Sequence, residues 1–139
     1  MMGDKASTKH GNMCLSHLYE LAVAANYANV NAVIKNADGS VGYTRMKMPF
    51  DGSILAWNHC GDLPDSGTWT IAITKNTVPL EQTRSAVTEA NQVWTANSPR
   101  AIQFVAGDTI GICHTTDSGF AATEGGDSLC SIYYLFFNS

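Results

Sequence analysis

Residues 68–75 alternate apolar and polar side chains, with Trp69, Ile71 and Ile73 on one side and Thr70, Ala72 and Thr74 on the other. Only a strand sends every second side chain to the same face, so the segment predicts a strand with the Trp69 row inward. The same period runs through residues 41–48, where Val41, Tyr43, Arg45 and Lys47 oppose Thr44, Met46 and Met48. It recurs at residues 109–115, where Ile110, Ile112 and His114 share a face. Pro49 ends the earlier of these two strands, because it has no N–H to give to a ladder. Apolar runs at 30–34 and 54–59 predict two further strands, and weaker patterns at 82–87, at 92–95 and around Ile102 and Phe104 add others. Residues 18–24 fit two periods: Tyr19, Leu21 and Val23 alternate as a strand, while Leu15, Leu18, Tyr19, Ala22 and Ala25 make a helical stripe. The Asn-rich segment at 26–31 lacks helix formers and favours the strand, with the helix as the alternative.

The closing stretch, 131–139, is apolar on both faces. As a strand it would point Ile132, Tyr134 and Phe136 one way and Tyr133, Leu135 and Phe137 the other. A domain of this size covers one face of a strand with its own core. The second face requires another layer of protein, most simply a copy of the same chain. Aromatic rings bury roughly 150–250 Å² each and can form much of an interface core. The two rows are equally apolar; Ile132, Tyr134 and Phe136 are taken as the subunit interface and the opposite row as facing the core.

Turn signals separate these elements: Asp38-Gly39, Pro64-Asp65-Ser66-Gly67, Ala106-Gly107-Asp108 and a Gly-rich loop at 116–127. Residues 76–81, which contain Pro79, read as a connection. Eight to nine strands with a turn at intervals of about ten residues predict an all-β, antiparallel sandwich or barrel over residues 18–139. Residues 1–17 form a polar N-terminal arm.

Composition agrees with this picture. The chain has 139 residues, 45% of them hydrophobic and only 14% charged. A chain of this length buries about two-thirds of its unfolded surface and needs no covalent staples. The net charge of −4, with eight Lys and Arg spread thinly, lacks the electrostatic footprint of a nucleic-acid binder. The first residues have no apolar segment of signal-peptide form and no window suits a bilayer span, so synthesis in a cytoplasm and no membrane partner are expected. In that compartment Cys14, Cys60, Cys113 and Cys130 are expected as free buried thiols, with two disulfides as the alternative that four cysteines permit.

Three segments stand in order along the chain: Met48-Pro49-Phe50-Asp51-Gly52-Ser53-Ile54, then Ile71-Ala72-Ile73-Thr74-Lys75-Asn76, then Phe104-Val105-Ala106-Gly107-Asp108-Thr109-Ile110-Gly111-Ile112. Together they resemble the small jelly-roll domains of tailed bacteriophages, similar in fold to the tumour-necrosis-factor and complement globular-head family. The resemblance covers roughly residues 18–137. It implies a jelly-roll sandwich, a homotrimer with the last strand near the threefold axis, and no enzymatic activity. Such domains occur as capsid decoration or cement proteins and at the tips of tail or head fibres, where they meet a host receptor or surface carbohydrate. The sequence carries no shaft repeat or coiled-coil heptads, which places decoration of a capsid ahead of the fibre tip. The expected setting is therefore the virion, with the major capsid protein or another virion protein as partner, reached through the arm and one end of the sandwich.

Competing chemistry is weak. His59-Cys60 and Cys113-His114 offer two imidazoles and two thiols, the donors of a zinc site, yet neighbours on a strand face opposite ways and each pair can present only one ligand to a common point. No metal and no cofactor is expected. Asp51, Asp62, Asp65, Asp108, Asp117, Glu124 and Asp127 lie in turns, where a carboxylate commonly caps backbone N–H groups, and no catalytic residue is assigned. Gly125-Gly126 lacks the rest of a phosphate-loop pattern. Of the three tryptophans, Trp57 and Trp69 belong to core rows. Trp94, among Gln92 and Asn97, is the one expected at the surface, as a sugar platform or an interface anchor.

Overall fold

The computed structural model describes residues 12–40 and 42–137. Its strands are β1 (Asn12–Leu15), β2 (Tyr19–Ala22), β3 (Val30–Asn31), β4 (Arg45–Lys47), β5 (Gly52–Gly61), β6 (Trp69–Lys75), β7 (Val78–Ala86), β8 (Asn91–Thr95), β9 (Gln103–Phe104), β10 (Thr109–Thr116) and β11 (Asp127–Phe136). No helix occurs among the described residues, so 19–22 settles as a strand. Among the described residues eleven strands replace the expected eight to nine, because turns cut edge segments into short pieces that pair separately with one long strand.

The strands form two antiparallel sheets. In the first, β11 is flanked on one side by β1 and β2 and on the other by β5, which then pairs with β8 and β9. β1 takes the second half of β11, from Leu15 opposite Tyr133 to Asn12 opposite Phe136, and β2 takes the first half. In the second sheet β3 and β4 divide β10 in the same way, and β10 continues to β6 and β7. The last residues of the polar arm thus belong to a sheet, where Met13 and Leu15 supply side chains that a polar context concealed. Val41, placed at the head of an alternating row, lies outside the described residues.

The β6–β7 hairpin departs from the expected connection at 76–81. Asn76 and Thr77 both hold positive φ, 52° and 71°, the mirror-image two-residue turn that matches strand twist. Pro79 is tolerated directly after it because β7 pairs only with β6, leaving the proline on an edge.

The sheets close over Trp57, Tyr19, Ile54 and Ile132 from the first and Trp69, Ile71, Ile73, Ile110 and Ile112 from the second, all essentially inaccessible to water. Each such side chain contributes roughly 1.5–3 kcal/mol by leaving water. Two buried hydrogen bonds stitch the layers together: Tyr19 Oη donates to the Ile110 carbonyl (3.1 Å) and Trp57 Nε1 donates to the Thr83 carbonyl (2.7 Å). The loop after β10 is tied down by Asp117, whose carboxylate accepts from Thr68 N–H (3.1 Å), and by Phe120, edge-on to Trp69 with ring centres 5.7 Å apart.

Candidate functional site

Register on β5 decides which face of β11 is which. Ile132 stands opposite Trp57 and Tyr134 opposite Ile54, both core residues, and directly opposed side chains share a face. Ile132 is fully buried, Tyr134 is nearly so, and Phe136 stacks on Tyr134 (5.8 Å) and meets Phe104 edge-on (6.0 Å). The expectation that Ile132, Tyr134 and Phe136 face a second subunit is therefore corrected: this row belongs to the chain's own core. The row turned outward is Leu129, Ser131, Tyr133 and Leu135. Phe137, beyond the strand, lies under the Arg100 guanidinium at 3.9 Å.

Of this outer row Ser131 and Leu135 are already buried within the chain, while Leu129 and Tyr133 remain accessible beside apolar neighbours from the flanking strands. Met13 opposes Leu135 and Leu15 opposes Tyr133 on β1; Ala56 opposes Tyr133 on β5; Val93 and Thr95 of β8 oppose Asn58 and Ala56. Met13 is 70% exposed, Val93 61% and Leu15 56%. A bulge between Tyr133 and Tyr134 leaves Leu55 as an extra residue on β5. Leu55, Met13, Val93 and Tyr133 line a shallow depression of about 450 Å³ there. The cross-strand neighbours from Met13 to Thr95 include no charged side chain among the described residues; the carboxylates begin at Glu20 and Asp127, where β2 pairs with β11.

The outer face of the second sheet is built differently. Arg84 donates to Glu81 (2.7 Å), Thr70 Oγ1 (3.0 Å) and Asn29 Oδ1 (2.8 Å), and Thr115 Oγ1 donates to the same Asn29 oxygen (2.9 Å). Arg84 holds the Glu81 carboxyl below its ordinary range. Polar groups here satisfy one another at a water-facing surface.

The titratable groups sit as alternation requires. His59 and His114 point into the core, while Cys60 lies on the apolar outer face and Cys113 on the opposite outer face, near Asn29 (3.7 Å). Among the described residues no group of three or more His, Cys, Asp or Glu is placed to hold a metal. All four cysteines are unbridged, as expected, but only Cys113 and Cys130 are buried; Cys14, on the edge strand β1, and Cys60, which alternation turns to the outer face, are exposed. Burial pushes the Cys130 thiol up to about 12. His59 Nε2 meets the Asp62 carbonyl (3.0 Å), which can only accept, so the proton resides on Nε2 and Nδ1 accepts from Ser128 Oγ (2.8 Å). A hydrogen-bonded Ser–His pair is half of a nucleophilic device. Here Ser128 is only 2% exposed, so its hydroxyl has no room to meet a substrate.

Five of the seven carboxylates expected in turns, Asp117 among them, accept from backbone N–H groups, whereas Asp127 begins β11. Asp51 accepts from Ala106 N–H (2.9 Å), Asp62 from Asp127 N–H (2.8 Å) and Asp108 from Val105 N–H (2.9 Å), and Asp65 accepts from Thr123. Trp94 differs from its surface expectation. It stands opposite Trp57 on the inner face, half-buried against the core at the β8 edge. The signal that could have placed it was period-two alternation with Val93, which its polar neighbours obscured.

No protein-family model and no curated protein sequence matches the chain.

Proposed function

We propose that the chain is a non-enzymatic virion structural protein, a homotrimer that decorates and cements a bacteriophage capsid. The observation that carries this reading is the uncharged apolar outer face of the β1–β11–β5–β8 sheet, set against a second sheet whose outer face is finished with hydrogen-bonded polar groups. A monomer in water gains nothing from the former arrangement, whereas a subunit that packs it against a copy of itself removes Met13, Leu15, Val93 and Tyr133 from water together.

The strand order supports a jelly roll as the fold. β11 between β1/β2 and β5, facing β10 between β3/β4 and β6, is compatible with the interleaving that two Greek keys produce if the short strands sharing one partner count as one position, and β5 to β6, β7 to β8 and β10 to β11 each cross between sheets. Threefold symmetry and the capsid setting rest on the resemblance carried by the 48–54, 71–76 and 104–112 segments. In this reading each trimer sits over a junction of capsid subunits and stabilises the shell by binding only its assembled form. Immunogold labelling of purified virions with an antibody to this chain tests the setting. Label over the capsid supports it; label on the tail transfers the chain to a fibre; unlabelled particles overturn the virion assignment.

A further inference from the structure

At the β8 edge of the sandwich a second cleft, of about 420 Å³, is lined by Gln82 of β7, by Trp94 and Thr95 of β8, and by Asn97 and Ile102 beyond it. Its polar side chains make no hydrogen bond to the described residues. Trp57 Nε1 donates to Thr83 (2.7 Å) and Trp69 Nε1 donates to His114 (2.9 Å), whereas Trp94 makes no side-chain hydrogen bond among the described residues. The amides of Gln82 and Asn97 are likewise unengaged by described residues, although Gln92 and Gln103 nearby are both committed to backbone carbonyls. One half-buried indole and two free carboxamides thus border a single cleft, with no charged residue in its lining.

We infer that this cleft binds a neutral carbohydrate, as a mono- or disaccharide unit. A pyranose presents C–H groups that suit an aromatic wall and a ring of hydroxyls that both donate and accept, and the carboxamide is the neutral side chain that answers both roles. The volume lies near the lower end of small-ligand sites, which start at about 300 Å³ and so admit one or two rings. An anionic ligand such as a nucleotide or an acidic sugar would find no cation in the lining. Sugar binding here does not depend on the assembly reading.

The test is two-dimensional ¹H–¹⁵N NMR of the whole chain, titrated with methyl glucoside, methyl galactoside, methyl mannoside, N-acetylglucosamine, lactose and cellobiose to about 10 mM, where a millimolar ligand is largely bound. Trp94→Phe removes one of the three indole cross-peaks and so assigns it. The expected result is that at least one sugar moves the Trp94 indole peak and the Gln82 and Asn97 side-chain amides while leaving the Trp57 and Trp69 indoles in place. Gln82→Ala and Asn97→Ala, both at exposed positions, should each weaken that binding by about fivefold, the loss of a hydrogen bond or two. No shift with any sugar overturns the inference, as do shifts that survive unchanged in Gln82→Ala and Asn97→Ala. Tighter binding of glucose 6-phosphate than of the neutral sugars overturns the assigned ligand class.

Discussion

The indole Nε1 of Trp69 donates a 2.9 Å hydrogen bond to Nδ1 of His114, inside the core. An indole nitrogen can only donate, so His114 must accept there, and the imidazole is locked neutral with its proton on Nε2. That second nitrogen is buried with no hydrogen-bond partner among the described residues, and burial drives the pKa of His114 down to about 3. His59, edge-on to the same Trp69 at 5.0 Å, is also pushed below its ordinary value by burial.

Acid should therefore unfold the protein earlier than its carboxylates alone require. The unfolded chain takes up a proton near the ordinary histidine value of 6.5, while folded His114 resists until about 3, so the stabilisation is present above 6.5 and is lost as the pH falls. The slope is about 1.4 kcal/mol per pH unit for each such histidine. Urea midpoints should fall steadily from pH 6.5 to 4, a window above that in which Asp38, Asp65, Asp108 and Asp117, all held below their ordinary values, take up protons. His114→Phe should flatten that slope. A midpoint constant across the window would refute the neutral, buried assignment.

Thr83 replaces a missing backbone partner. The β6–β7 ladder slips between Ile71 and Ile73, and there the Ile73 N–H donates to Thr83 Oγ1 (2.8 Å), which itself donates to the Leu80 carbonyl (2.6 Å). Thr83→Val keeps the volume but strands a buried N–H and a carbonyl, at a cost of about 2 kcal/mol; Thr83→Ser should cost less. Chemical denaturation of the two variants separates the outcomes.

Two adjacent glycines should respond unequally. A Cβ on Gly126 would meet the Val23 carbonyl oxygen at 2.3 Å, and the residue holds φ of 75°; Gly125 has φ of 96° but open space around it. Gly126→Ala should cost about 3 kcal/mol, since strain and collision add, and Gly125→Ala about 1 kcal/mol from backbone strain alone. Thermal melts of both proteins check the order.

Much of the architecture was legible because alternation is local. Trp69, Ile71 and Ile73 declare their face within seven residues, and Asp38-Gly39 declares its turn. What escaped depended on tertiary partners. β1 is a strand because β11 offers it a ladder, and Asn76-Thr77 makes a hairpin because strand twist admits positive φ there. For β11 itself both rows were apolar, and only the positions of Trp57 and Ile54 across the ladder assign Ile132 and Tyr134 to the core. The apolar outer face could not be read at all from one segment, since it is assembled from β1, β5, β8 and β11.

That assignment separates two substitutions one residue apart. Tyr134→Asp buries a carboxylate in the core and should prevent folding, seen as loss of the far-ultraviolet β signal. Tyr133→Asp should leave that signal intact and change only self-association. The opposite pattern would reverse the two faces.

The most direct measurement is multi-angle light scattering on the eluting native protein, alongside Val93→Asp, whose side chain is 61% exposed on the outer face. The native protein should scatter with a mass three times the 14.9 kDa of one chain, and the variant should be a folded monomer. A folded native monomer, or a trimer that Val93→Asp leaves undisturbed, would contradict a trimer built on this face.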